Sequence, residues 1–331
     1  MKKNIFLLLC SVFCVLPSAA IQTTTMVFAQ HDTCTLKMDV YQPQDTLSEH
    51  PCVVFVFGGG FMTGSRDTKP CQKFLIAMAE NGIVGVAIDY RLGLKGFKTK
   101  HAKEAIERLA FSINLAVEDL IDATVFLTQH SKDLRIRKDQ IVLVGSSAGA
   151  ISSLQADYYL KNRHPLAQKL PAEFHYGGIV SCAGALARFD KKIHFQQQPD
   201  PTFFLHGTKD ELVPYSRTVI CGKGMYGAKY LSRKFRKAGW AHRITRYKNF
   251  GHEVSLLGFS ENTAEILHFI REDVQGTQKP VIHDEKHIEP AVKKPLWNIH
   301  KLDLYKKDPK LKITEDPVQL KRIKALEDDN D

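Results

Sequence analysis

A serine lies between glycines where a predicted strand meets a predicted helix. Segment 145–149 reads Gly-Ser-Ser-Ala-Gly, follows the apolar run 141–144 directly, and is followed at once by a helical pattern. A turn of this kind exposes its middle serine at the tip of a sharp bend, and its glycines let strand and helix pack closely. The N-terminus of the following helix favours negative charge beside that serine. The pattern therefore predicts Ser147 as a nucleophile.

Three glycines at 58–60 follow the strand predicted over 53–57. A serine nucleophile needs backbone N–H donors aimed at the oxyanion of its tetrahedral intermediate, and a glycine run lets a loop turn its amides inward. The amide of Ala148, directly after the serine, is a further expected donor. A flexible turn is the alternative for these glycines taken alone.

An acid and a histidine follow the serine in the chain. Asp210 lies in the loop after the strand predicted over 202–205, where a carboxylate can hold a base histidine in the required tautomer. His252 follows the last predicted strand of the body, 243–247. The order serine, acid, histidine is the one expected when a Gly-x-Ser-x-Gly turn carries the nucleophile. His206, which precedes the acid, is predicted to be structural.

The chain around these residues alternates strand and helix patterns, which predicts a mostly parallel α/β sheet flanked by helices. Strands are predicted over 35–41, 52–57, 83–88, 140–144, 178–182, 202–205 and 243–247. Helices are predicted over 69–80, 103–129, 148–161, 227–239 and 260–271. Because no linker is visible, residues 21–278 are predicted to form one catalytic domain.

Taken together, these motifs resemble the α/β-hydrolase superfamily, within its esterase/lipase branch of hormone-sensitive-lipase-like and carboxylesterase-like enzymes. The resemblance covers about residues 35–275, and its carriers are the segments 57–61, 89–92, 145–149, 206–214 and 251–252. It implies an α/β-hydrolase fold with Ser147 as nucleophile, His252 as base and Asp210 as acid. It also implies an oxyanion hole built from the amides of Gly59, Gly60 and Ala148.

Two positions within these motifs carry further expectations. Phe57 stands where the family pattern has a histidine that braces the glycine loop, so the rigidity of that loop is in question. The segment 89–91, Asp-Tyr-Arg, follows a predicted strand and is expected to build a structural network.

The two ends of the chain differ in composition from the body. Residues 1–20 have a basic start, an apolar run over 5–16 and small residues at 18–20, which predicts a secretory signal peptide cleaved after Ala20. An uncleaved anchor is the alternative, although the apolar run is shorter than the ~20 residues that span a bilayer. Residues 279–331 are rich in charge and proline and are predicted to form an extended tail. We expect a periplasmic or extracellular protein without a stable membrane span after signal removal.

Composition and motif context argue against other classes of protein. The 331 residues contain 46 Lys+Arg and 36 Asp+Glu, a net charge of +10, but the charge is scattered, so no nucleic-acid partner is predicted. A Gly-x-Gly-x-x-Gly match at 222–227 follows no clear buried strand and is predicted to be a loop before a helix. The histidines at 283 and 287 lack the glutamate that a metalloprotease motif requires. No metal and no cofactor is expected.

The segment 183–201 is short where cap domains of this superfamily usually insert, so little or no cap and an open site are expected. The resemblance implies a serine ester hydrolase that works through an acyl-enzyme. Export and an open site favour small-molecule or carbohydrate-linked esters, such as acetyl or feruloyl groups on polysaccharide. A non-catalytic binding protein on the same fold and a serine peptidase are the alternatives, and the oligomeric state is left open.

Overall fold

A nine-stranded sheet forms the centre of the molecule. The computed structural model describes residues 21–31, 34–188, 193–220, 223–276 and 283–289; the predicted signal peptide 1–20 and most of the predicted tail lie outside these ranges. The strands are β1 (Gln22–His31), β2 (Cys34–Gln42), β3 (His50–Val56), β4 (Val84–Ile88), β5 (Ile136–Ser146), β6 (Gly178–Cys182), β7 (Ala185–Arg188), β8 (Thr202–Gly207), β9 (Arg217–Ile220), β10 (Lys223–Gly227), β11 (His242–Tyr247) and β12 (His283–Ile288).

The large sheet has the order β1-β2-β4-β3-β5-β6-β8-β11-β12. Neighbours from β4 to β12 are parallel, whereas β1 and β2 join the sheet antiparallel. The strands β3, β4 and β8 are buried at every position, as expected for parallel strands covered on both faces. The mostly parallel sheet that the alternating pattern predicts is thereby confirmed.

Helices cover both faces of this sheet. They are α1 (Lys69–Glu80), α2 (Ala102–Gln129), α3 (Ala148–Lys161), α4 (Ala228–Ala238), α5 (Val254–Ser260) and α6 (Thr263–Phe269). Helices α1, α5 and α6 pack together on one face, α2 and α3 pack on the other, and α4 lies against β8 and β11. In the described ranges, none of the helices has the length and apolarity that crossing a bilayer requires.

Helix α3 is buried along its whole length. The sheet packs on one side of it, while α2 and β7 contact the other side. A helix enclosed in this way has little freedom to shift relative to the sheet. Its first turn, which directly follows Ser147, is therefore held firmly at the carboxyl end of β5.

Some elements differ from the sequence predictions. Strand β12 lies inside the predicted tail and pairs with β11, so the sheet continues beyond residue 278. Its sequence, HDEKHI, is charged, and charged residues are common in strands at the edge of a sheet. Strand β1 and the short helix α5 are also absent from the predictions, because β1 is an exposed polar edge strand and α5 spans only seven residues.

A second, small sheet has the order β7-β10-β9 and is antiparallel. The prediction of a loop over 222–227 is wrong for its described part, because residues 223–227 form β10. The described residues between β6 and β8 form a single short strand, β7, and otherwise no helix or strand. This agrees with the small or absent cap expected from the short segment 183–201.

Candidate active site

The turn that carries Ser147 is strained and closely packed. Ser147 has φ 50° and ψ −113°, a backbone conformation that side-chain-bearing residues seldom adopt. A Cβ on Gly149 would overlap the carbonyl oxygen of Val56, and a Cβ on Gly145 would lie 2.5 Å from the backbone of Ala150. The two glycines of the motif are therefore needed for the close approach of β5, α3 and the neighbouring strand β3.

Three side chains from separate loops form a continuous hydrogen-bonded chain. Ser147 Oγ lies 2.8 Å from Nε2 of His252, and Nδ1 of His252 lies 2.8 Å from Oδ2 of Asp210. All three residues are buried. They follow β5, β8 and β11, whose carboxyl ends share one edge of the parallel sheet. The structure thus brings together the three side chains that the sequence predicts as nucleophile, base and acid and places far apart in the chain.

The carboxylate of Asp210 is surrounded by donors. Its Oδ1 accepts the amides of Leu212 and Val213 at 3.0 and 2.9 Å. Its Oδ2, bonded to His252, also lies 3.3 Å from Nε2 of His206. Burial would raise the pKa of Asp210, but the two histidine rings outweigh burial and hold that pKa well below its ordinary value. The carboxylate is accordingly charged at neutral pH.

His206 contacts Asp210, and the predictions from the sequence do not include this contact. His206 is predicted to be structural because it precedes the acid, yet the structure places its ring against the carboxylate of Asp210. The signal in the sequence is its position four residues before the acid, at the end of β8. The two side chains meet across a turn in which the amide of Asp210 donates to the carbonyl of Gly207 at 3.3 Å.

The glycine loop lies against the serine turn. A Cβ on Gly58 would lie 3.2 Å from Cβ of Ser147, so a side chain there would press on Ser147. Gly59 and Gly60 have φ of 117° and 63°, in the left-handed region that glycine adopts freely. In the described part of the chain, neither of their amides donates to a backbone carbonyl outside regular elements. The amide of Ala148 belongs to the first turn of α3, where helices leave N–H groups unpaired.

An aromatic pair braces this loop at the position of the missing histidine. The rings of Phe57 and Tyr90 stack with centroids 4.2 Å apart, and the Tyr90 hydroxyl donates to the carbonyl of Phe57 at 2.9 Å. The amide of Leu94 donates to the carbonyl of Phe61 at 2.9 Å. Stacking and two hydrogen bonds therefore anchor the loop without a histidine.

The segment 89–91 builds the structural network that the sequence predicts. Asp89 accepts from the guanidinium of Arg66 at 2.8 and 2.9 Å, and Arg91 donates to Asp119 and Glu118 at 2.8 Å each. Together with Tyr90, these pairs connect β4 to the glycine loop and to α2.

Among the described residues, His31, Asp119 and Asp122 are close enough together to hold a metal ion. However, Asp119 is already bonded to Arg91, and Asp122 accepts from Lys169 at 2.6 Å. Cations of the protein thus neutralise both carboxylates, and we interpret the group as an ion-pair network. The histidine pair at 283 and 287 lies in the edge strand β12.

The parallel sheet, the strained serine between β5 and α3, and the side chains of Asp210 and His252 at the carboxyl ends of β8 and β11 define an α/β-hydrolase fold. The chain is similar to the esterase/lipase branch of that superfamily. The carboxylesterase family model matches residues 11–160, which are just under half of the chain. That match includes the glycine loop and Ser147 and ends before Asp210 and His252.

Two curated relatives with esterase names are similar to parts of this chain. Mouse carboxylesterase 5A is 34% identical over 119 residues, which are 35% of this chain and 19% of that protein. An acetyl esterase of Salmonella choleraesuis is 24% identical over 149 residues, which are 45% of this chain and 41% of that protein. The chain therefore spans less than half the length of these relatives.

Solved structures show the fold. Esterase 2 of the planctomycete Thermogutta terrifontis with propionate bound has a TM-score of 0.53 and 20% sequence identity, covering 76% of this chain and 94% of that one. The native form of that esterase has a TM-score of 0.52 and 17% identity, covering 78% and 95%. At this level of identity the likeness concerns the fold alone.

Proposed function

We propose that this chain is an exported serine ester hydrolase of the carboxylesterase type, with Ser147, His252 and Asp210 as its catalytic triad. The observation that carries the proposal is the unbroken hydrogen-bonded chain from Ser147 Oγ through His252 to Asp210, with both links at 2.8 Å. A serine hydroxyl is a weak nucleophile until a base accepts its proton, and this arrangement supplies that base.

In the first half of the reaction, Nε2 of His252 takes the proton of Ser147 as Oγ attacks the ester carbonyl. The charged imidazole that forms is stabilised by the carboxylate of Asp210, whose low pKa keeps it ionised. His252 then returns the proton to the departing alcohol. The acyl group is left on Ser147.

In the second half, His252 activates a water molecule that attacks the acyl-enzyme and releases the acid. In both halves the oxyanion accepts hydrogen bonds from the amides of Gly59, Gly60 and Ala148. Loss of one such donor would cost roughly 3 kcal/mol of transition-state stabilisation. The Phe57–Tyr90 pair holds the glycine loop in place for this role.

For the substrate, we propose a short acyl group on a small-molecule or carbohydrate alcohol. One relative is named an acetyl esterase, and one structural neighbour has propionate bound. The short segment after β6 favours an open site that admits a bulky alcohol. Export is supported by the signal-peptide pattern of residues 1–20.

A non-catalytic binding protein on the same fold is less well supported. A site that had lost its catalytic function would be expected to lack at least one of the three hydrogen-bonded side chains, and all three are present. A peptidase is likewise less well supported, since several of the matched relatives carry esterase names.

Hydrolysis of p-nitrophenyl acetate tests the proposed activity. We expect the wild type to hydrolyse it and Ser147→Ala to lose activity by on the order of 10⁶-fold. Ser153→Ala is the matched control: this serine is buried in α3, its hydroxyl donates to the carbonyl of Gly149, and we expect activity to be retained. A folded wild type without turnover would refute the proposal, as would full activity of Ser147→Ala.

Two further measurements test the finer parts of the proposal. A series of p-nitrophenyl esters from acetate to octanoate, followed by acetylated and feruloylated sugars, tests the preference for short acyl groups and for carbohydrate.

The intact mass of the protein recovered outside the cytoplasm of a bacterial host tests cleavage after Ala20. A protein retained in the cytoplasm at full mass would contradict export.

A further inference from the structure

Two histidine rings meet at one oxygen of Asp210. Oδ2 of this carboxylate lies 2.8 Å from Nδ1 of His252 and 3.3 Å from Nε2 of His206. The other oxygen is occupied by two backbone amides of the same loop. The proposed mechanism uses the first ring only, and His206 has no part in it.

The surroundings of His206 determine which of its nitrogens carries the proton. Nε2 faces the carbonyl oxygen of Val213 at 3.2 Å as well as Oδ2 of Asp210, and both oxygens are acceptors. Nε2 is therefore the protonated nitrogen and donates toward both. Nδ1 is buried and, among the described residues, has no hydrogen-bond partner. An unpaired buried nitrogen costs free energy, and a purely apolar packing residue would avoid that cost.

We propose that His206 is a positioning residue of the triad, whose Nε2–H holds Asp210 in the orientation that accepts the Nδ1–H of His252. The role rests on the proposed Ser147–His252–Asp210 mechanism and adds a fourth side chain to it. His206 is 1% exposed and belongs to β8, which is paired on both sides by β6 and β11. It thus anchors a loop-borne acid to an interior strand of the sheet, and sites held by such elements keep their geometry better than sites on loops do.

Other ionisable side chains lie near this point. The ring of Tyr215 is 5.6 Å from that of His206, and its hydroxyl accepts from Arg246, which is paired with His206 across the sheet. On the histidine loop, Glu253 accepts the amide of Gly251. These groups are unchanged in a His206 variant, so a shift in the pH profile of such a variant reports the loss of the Nε2–H.

The direction of that shift follows from the hydrogen bonds. Without the donor of His206, Oδ2 of Asp210 keeps His252 as its remaining side-chain donor and attracts the proton on that ring more strongly. The protonated form of His252 is then favoured, and the acid limb of kcat/KM moves to higher pH. The less firmly held acid also lowers kcat, by about tenfold for a displacement well below 1 Å.

The test compares His206→Leu with His206→Gln in the full chain. The Gln side chain can place an N–H near the position of Nε2, whereas Leu cannot. The matched control is His50→Leu: His50 is also 1% exposed, and its Nδ1 lies 3.0 Å from the carbonyl of Gly82 at the opposite end of the sheet. The measurements are the pH dependence of kcat/KM for p-nitrophenyl acetate and the melting temperature.

We expect His206→Leu to shift the acid limb upward and lower kcat about tenfold, and His206→Gln to restore both. His50→Leu is expected to lower the melting temperature without moving the acid limb. An unshifted acid limb in a folded His206→Leu, or the same shift in His50→Leu, would overturn the role. If His206→Leu does not fold, His206→Asn replaces it, because its shorter amide cannot reach the Nε2 position. An inactive wild type would instead refute the proposed function.

Discussion

The two halves of the site are held by different forces. The serine turn is held by backbone shape: Ser147 has φ 50°, and Gly149 lies so close to Val56 that no side chain fits. Asp210 and His252, the proposed acid and base, are held by directional hydrogen bonds: two backbone amides donate to Asp210, and its carboxylate is bonded to the ring of His252. Changes in the first half should therefore alter folding and activity together, whereas changes in the second should alter activity far more than folding.

The largest expected effect tests the half of the site that is held by hydrogen bonds, Asp210 and His252. Asp210→Asn presents an N–H₂ group to a histidine nitrogen that already carries a proton, which favours the wrong tautomer of His252. We expect kcat for p-nitrophenyl acetate to fall by on the order of 10⁴-fold, while the melting temperature at neutral pH falls by only a few degrees. A loss of the folded state in this variant would remove the distinction between the two halves.

The same variant has a characteristic pH dependence of stability. The pKa of Asp210 is lower in the folded protein than its ordinary value. The charged carboxylate therefore stabilises the fold at any pH above the pKa of an aspartate in the unfolded chain, which is about 3.9. That contribution is lost as the pH falls from there through the folded pKa. In urea titrations, the stability difference between wild type and Asp210→Asn should be present at pH 7 and shrink below pH ~4. A difference that grows on acidification would contradict the assigned pKa direction.

A smaller effect is expected in the serine turn, the half of the site that is held by backbone shape. In Gly149→Ala the new methyl group overlaps the carbonyl of Val56, so β3 and α3 must separate. We expect the free energy of unfolding to fall by about 3 kcal/mol and the activity to fall with it. Gly96→Ala is the control for backbone strain without overlap. No atom lies within 4 Å of the position that its methyl group would take, but Gly96 has φ 72°, so we expect a loss of about 1–2 kcal/mol with unchanged activity. Gly149→Ala with unchanged stability would show that the turn is not held by packing.

The smallest effect concerns the brace of the glycine loop. Tyr90→Phe keeps the stack on Phe57 and removes one hydrogen bond to its carbonyl, so the unfolding free energy should fall by about 1–2 kcal/mol. Because that carbonyl begins the loop, kcat should also fall a few-fold. Tyr176→Phe is the control, since its buried hydroxyl bonds to Thr124 at the other end of the sheet. Equal kcat values for the two variants would exclude a role of the brace in catalysis.

The same contrast explains how far the sequence predicts the structure. Helix α3 and strand β6 have the predicted bounds, because a buried apolar run and a glycine-flanked turn are local signals. Strand β12 could not be predicted, because its charged sequence becomes a strand only through pairing with β11. The short strands of the second sheet likewise depend on contacts between distant segments.

For the site, the order and type of Ser147, Asp210 and His252 could be read from the sequence, since each follows a recognisable strand. The contact of His206 with Asp210 could not, because it depends on how the loop after β8 closes. The replacement of the bracing histidine by stacking of Phe57 on Tyr90 also required the structure, since the two rings are 33 residues apart.

The most direct test of the central claim is covalent labelling of the folded protein with a fluorophosphonate, followed by mass mapping of the modified peptide. We expect a single adduct on Ser147, formed rapidly in the wild type, slowly in Asp210→Asn and not at all in Ser147→Ala. An adduct on the neighbouring Ser146, or no adduct on a folded wild type, would contradict the assignment of Ser147 as the nucleophile of this site.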